Sequence, residues 1–224
     1  MPRVPLPEPT RTSRIVAVLR APHGDRVVPA AEVLAENGIV SVEVTLGTPG
    51  ALEAIASLRE RLPRSCDVGV GTVLSRDDAA RAIDAGVDYA ITPTVVPDVI
   101  ATFRDAGVPV IPGALTPTEI SAAWELGASA VKVFPASLVG ISYVAQLQGP
   151  LPHVALIPSG GVSIPDARSW LDAGCVAVSL GGPLLGDALD GGDLEALAER
   201  ARTLVSVVSA QPAPQTGSQE PARG

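Results

Sequence analysis

Along most of this 224-residue chain an apolar, strand-like run alternates with an amphipathic, helix-like segment, and the helix repeatedly closes on glycine. The closing triplets are Glu36-Asn37-Gly38, Asp84-Ala85-Gly86, Asp105-Ala106-Gly107, Glu125-Leu126-Gly127 and Asp172-Ala173-Gly174. Glycine just past a helix accepts the left-handed backbone that caps the last turn, so each triplet marks a helix end. Eight runs read as strands, over residues 15–20, 41–46, 67–72, 89–92, 108–112, 130–134, 155–158 and 176–180. Helices are predicted near 27–36, 51–62, 76–85, 97–106, 117–126, 142–147, 165–173 and 194–209. Eight strands each followed by a helix predict an α/β fold, a single-domain TIM (β/α)8 barrel. An open doubly wound sheet is the alternative. It expects a GxGxxG after the first strand, whereas the glycine-rich turns here follow the seventh and eighth.

The barrel is expected over 15–210. Residues 1–14, rich in Pro and Arg, read as a flexible N-terminal segment, and 211–224, rich in Pro, Gly, Ser and Gln, as a disordered tail. Hydrophobic residues make up 46% but aromatics only 3%, so the core must be aliphatic, which suits parallel strands covered by helices. A formal charge of -8 argues against nucleic acid or an anionic membrane as partner. The uncharged stretch from Val133 to Pro165 is interrupted by prolines and glycines and is not a membrane span. Cys66 and Cys175 are isolated, and the N-terminus has no apolar signal core, which points to a reducing cytoplasm. His23 and His153 are too few and too far apart to suggest a metal site. Asp77 and Asp78 open a helix, where the dipole accounts for them, and Trp124 and Trp170 read as packing.

Lys132 is the one lysine beside 15 arginines, and it stands inside the apolar run Ala130-Val131-Lys132-Val133-Phe134-Pro135. Burying an ammonium is costly. An amine can be deprotonated and attack a carbonyl, which a guanidinium cannot, so this residue choice points to an imine-forming lysine. On Ser41-Val42-Glu43-Val44-Thr45-Leu46, alternation sends the valines toward the helices and Glu43 into the barrel, where Lys132 also points if Val131 and Val133 face out. Two readings stand at this point: a structural ion pair of Lys132 with Glu43, or a nucleophile with a proton shuttle. The other strand ends carry Arg20, Thr72, Pro93, Ser159-Gly160-Gly161 and Gly181-Gly182-Pro183. Glycine pairs after strands seven and eight stand where many such barrels hold phosphate on backbone N–H groups. Arg20 is a candidate anion ligand or a solvated rim residue.

Five motifs together carry a family resemblance: Val42-Glu43-Val44-Thr45-Leu46, Gly69-Val70-Gly71-Thr72-Val73-Leu74, Ile111-Pro112-Gly113, Val131-Lys132-Val133-Phe134-Pro135-Ala136 and Pro158-Ser159-Gly160-Gly161-Val162. In this order and spacing the chain resembles the 2-keto-3-deoxy-6-phosphogluconate (KDPG) and 4-hydroxy-2-oxoglutarate aldolases, over almost all of Ile15 to Ser209. The resemblance implies a metal-independent, cofactor-free class I aldolase, usually homotrimeric, acting on a small keto-acid substrate. It implies Lys132 as the Schiff-base lysine and Glu43 as general acid/base. Thr72, Pro93 and Phe134 would line the pyruvate-derived end, with Ser159 near the substrate chain and Thr45 and Arg20 as further substrate-binding candidates. Gly160, Gly161, Gly181 and Gly182 would hold phosphate.

The chain departs from that pattern twice. Gly47 stands where the family usually has a carboxylate-binding arginine, a charge Arg20 could supply, and Pro183 stands where Gly-Gly-Ser is common, removing a hydroxyl and an N–H. The expected reaction is cleavage of 2-dehydro-3-deoxy-6-phosphogluconate to pyruvate and glyceraldehyde 3-phosphate. The alternatives are the galactonate epimer, 4-hydroxy-2-oxoglutarate, or a non-catalytic sugar-phosphate-binding barrel.

Overall fold

A computed structural model of the chain describes residues 3–210. Eight parallel strands follow in order: β1 (Ile15–Leu19), β2 (Ser41–Thr45), β3 (Asp67–Gly71), β4 (Tyr89–Thr92), β5 (Val110–Ala114), β6 (Val131–Val133), β7 (Leu156–Pro158) and β8 (Val178–Leu180). Sequential strands pair with one another, and β1 also pairs with β8. The remaining seam, β7 to β8, is joined by a bridge between Ser159 and Ser179, whose hydroxyls lie 3.2 Å apart. The sheet therefore closes on itself as a TIM barrel.

The helices are α1 (Glu8–Ser13), α2 (Val27–Glu36), α3 (Ala51–Arg61), α4 (Arg76–Asp84), α5 (Pro97–Asp105), α6 (Pro117–Glu125), α7 (Ile141–Leu147), α8 (Ala167–Asp172), α9 (Gly182–Leu185) and α10 (Leu194–Ser209). None of them is long and apolar enough to cross a membrane. The glycine-closed ends are present as anticipated. After α5, Gly107 takes φ 73°, its N–H donates to the Arg104 carbonyl at 3.0 Å, and that of Val108 donates to Phe103 at 2.9 Å. That pair of bonds satisfies carbonyls the helix leaves open, and it recurs at Gly38, Gly86, Gly127 and Gly174. It also explains why β5 begins at Val110 rather than 108, because Val108 is still capping α5.

Two apolar layers result. Val42, Val44, Val68, Val70, Val131 and Val133 face the helices in the larger cluster, while Val16, Tyr89, Ile91, Ile111, Ala130, Ile157 and Ala177 fill the barrel interior. Strand alternation then turns Glu43 and Lys132 inward.

The N-terminal segment differs from the expectation of a flexible 1–14. Leu6 packs against the interior cluster at the barrel base, and α1 is fastened by Thr10, whose N–H and hydroxyl donate to Asp67 Oδ2 at 3.0 and 2.7 Å. Arg3 lies 3.4 Å from the Trp124 ring centroid and donates to the Trp124 carbonyl. A proline-rich run lacks helical propensity, yet these tertiary partners order it. The tail expected to be disordered, 211–224, lies outside the described residues.

Candidate active site

The candidate site stands at the C-terminal ends of the strands, and it begins with Lys132 in the middle of β6. Its neighbours across the sheet are Gly113 on β5 and Ile157 on β7, so one flank bears no side chain. Lys132 is 8% exposed, and among the described residues it makes no hydrogen bond or ion pair. Its Nζ lies 4.9 Å from the Phe134 ring centroid, within reach of a cation–π attraction. The structural-pair reading of Lys132 with Glu43 therefore lacks the direct contact it requires.

Glu43, on β2, is 1% exposed, and its Oε2 is buried without a hydrogen-bond partner. Burial pushes its carboxyl above the usual range, opposed by the charges of Lys132 and then Arg20. A carboxyl so placed holds its proton more tightly than an ordinary glutamate. The influence of both cations on Glu43 places the three in one electrostatic neighbourhood.

Arg20 follows β1, exposed at the rim, and its guanidinium donates to Thr72 Oγ1 at 3.3 Å. Thr72 follows β3 at φ 62°, a left-handed conformation that a β-branched residue rarely adopts. The turn carrying Arg20 is held by Thr48, whose hydroxyl accepts the Ala21 N–H at 3.1 Å and lies 3.4 Å from the Thr45 hydroxyl. Thr45 is thus tied into this local network. Pro93 follows β4, and its carbonyl passes so close to β5 that a Cβ on Gly113 would meet it at 2.3 Å.

After β7, Gly160 and Gly161 are both left-handed, at φ 83° and 84°, and a Cβ on Gly160 would come within 3.0 Å of Phe134. That gathers the first glycine pair, Phe134 and Lys132 at one rim. The Ser159 hydroxyl engages Ser179 and serves the barrel seam. After β8, a Cβ on Gly181 would meet Val18 no closer than 3.7 Å, and one on Gly182 would meet nothing within 4 Å, leaving open backbone at the mouth. Pro183 begins the short α9 beside it.

Sequence reasoning missed Thr48, whose partner Ala21 follows β1, and Tyr89, whose ring lies against Gly69 of β3, because these contacts join segments far apart in the chain. A surface cleft of about 680 Å³ lies elsewhere, at the barrel base, lined by Pro7, Pro9, Arg59, Asp67 and Asp88. The mouth is where a buried amine, a buried carboxyl without a partner and a strained residue converge.

The family model for KDPG and KHG aldolase matches residues 7–199. A 2-dehydro-3-deoxy-phosphogluconate aldolase of Haemophilus influenzae is 33% identical over 165 residues, 73% of this chain and 77% of that protein. A probable 2-dehydro-3-deoxy-6-phosphogalactonate aldolase of Rhizobium meliloti is 32% identical over 195 residues, 87% of this chain and 91% of that one. Among solved structures, the KDPG aldolase of Legionella pneumophila, with pyruvate captured at low pH as a covalent carbinolamine, superposes with a TM-score of 0.79 at 25% identity, covering 88% of this chain and 96% of that one. With the barrel, the order of its motifs and a match from before β1 into α10, the chain belongs to the KDPG and KHG aldolase family.

Proposed function

We propose that this aldolase cleaves 2-dehydro-3-deoxy-6-phosphogluconate to pyruvate and glyceraldehyde 3-phosphate through a Schiff base on Lys132. The observation that carries the reading is the buried, inward Lys132 without an ion-pair partner, beside a Glu43 carboxyl shifted upward by burial. Lys132 attacks the C2 carbonyl and loses water to give the protonated imine. As Glu43 takes the C4 hydroxyl proton, the C3–C4 bond breaks, its electrons pass into the imine to form the enamine, and the aldehyde leaves. Protonation at C3 and hydrolysis return pyruvate and the free amine.

In this reading Arg20, presented by Thr72, binds the substrate carboxylate in place of the side chain that Gly47 lacks. Thr45, Pro93, Phe134 and Ser159 shape the pocket around the keto acid, and the backbone of Gly160, Gly161, Gly181 and Gly182 receives the phosphate. Pro183 contributes no N–H there. The enzyme works as a cytoplasmic homotrimer with two buried free thiols, Cys66 and Cys175.

The decisive experiment is intact mass after incubation with pyruvate and borohydride, followed by peptide mapping. A single reduced pyruvate adduct on Lys132, absent in Lys132→Arg together with turnover, is the expected result. No adduct on the folded protein sinks the imine mechanism. Pyruvate release from KDPG, from its galactonate epimer and from 4-hydroxy-2-oxoglutarate then ranks the aldehyde halves, and light scattering at three chain masses tests the assembly.

A further inference from the structure

Strand β3 turns Val68 and Val70 toward the helices and Asp67, Gly69 and Gly71 inward, so above Asp67 its inner face bears no side chain. Neighbouring strands occupy the two gaps. From β4, the Tyr89 ring lies where a Cβ on Gly69 would meet it at 2.3 Å. From β2, the Glu43 carboxyl lies where a Cβ on Gly71 would come within 1.8 Å of Oε1 and 2.6 Å of the carboxyl carbon. Gly71 does not have a left-handed backbone, so alanine suits its conformation and only the occupant of the space excludes it.

We propose that Gly71 is a positioning residue for the reaction: the side chain it lacks is the niche in which the Glu43 carboxyl is seated against β3. The proposal rests on the assignment of proton transfer to Glu43 made above. The niche explains how Glu43 can be 1% exposed and keep a buried oxygen without a partner, since the carboxyl is laid against a bare strand rather than held by donors. Filling it moves the carboxyl off the wall, away from the burial that raises its pKa.

The test is Gly71→Ala, assayed for kcat, KM and the pH dependence of kcat, with Glu43→Gln alongside. A displacement of this size is expected to lower kcat about 100-fold while KM changes much less, because only the reacting geometry is disturbed. The acidic limb of the kcat profile should move to lower pH, since a better-solvated Glu43 loses its proton more readily. Pyruvate trapping on Lys132 should persist. In Gly71→Ala/Glu43→Asp, the shorter side chain withdraws from the new methyl and should recover part of kcat.

A Gly71→Ala enzyme with unchanged kcat and an unshifted limb, beside a Glu43→Gln enzyme that has lost turnover, overturns the role of Gly71 alone. Retained turnover in Glu43→Gln overturns the assignment of Glu43, and this proposal with it. Should Gly71→Ala fail to fold, refolding in the Gly71→Ala/Glu43→Asp variant supports the niche, and failure there too rejects it.

Discussion

Thr72 carries a cost that its neighbours do not. A β-branched residue at φ 62° stores roughly 1 kcal/mol or more of backbone strain, and its hydroxyl stands 3.3 Å from the Arg20 guanidinium. Glycine accepts that conformation without strain, so Thr72→Gly should raise the stability measured by urea unfolding by about 1 kcal/mol. The same change should raise KM for the keto acid by about tenfold, as the loss of one hydrogen bond around a charged ligand implies. Improved stability with an unaltered KM would remove Thr72 from substrate binding. The site residues divide at this scale. Lys132 and Glu43 were legible because their flanking valines declare which way each strand faces. Gly69 and Gly71 read only as part of a motif, since the ring and the carboxyl that need their space belong to β4 and β2.

Helix α1 shows how an element with poor local credentials becomes ordered. Its anchor, Asp67, lies 57 positions away from Thr10, so no window along the sequence could reveal the contact. Asp67 is 2% exposed, and burial, opposed by the bonds from Ser41 and Thr10 and reinforced by Asp88, lifts its carboxyl from 3.8 to about 6. The folded state therefore holds this proton more tightly than the unfolded chain, and stability from this group falls as pH rises between those two values and is flat above them. A shift of that size corresponds to about 3 kcal/mol. Compared with Asp67→Asn, the wild type should be more favoured at about pH 4 than at about pH 7 by about 2 kcal/mol, most of that margin, read from urea midpoints and slopes at the two pH values. An identical difference at both would mean that Asp67 does not titrate in this window. The glycine-closed helices contrast with α1: their signal is local, and α2 keeps the predicted bounds.

At the level of the whole barrel, each strand has a neighbour on both sides, with the Ser159–Ser179 bridge completing the circle. No part of the sheet can leave without exposing the interior cluster and the shell of valines together. Near-ultraviolet and far-ultraviolet signals should accordingly fall in one coincident transition at fixed protein concentration, and two separated transitions would contradict a single core. The alternation of strand and helix made this architecture readable. The plug at its base was not, because Leu6 and Thr10 owe their places to residues on strands far along the chain. The single lysine has a practical corollary in protein chemistry. Reagents that acylate or reductively alkylate amines find arginines across the exterior, and these do not react. Side-chain labelling is thereby confined to Lys132 in the barrel mouth. Its rate becomes a gauge of access to that mouth, and a keto acid added beforehand should protect the amine from the reagent.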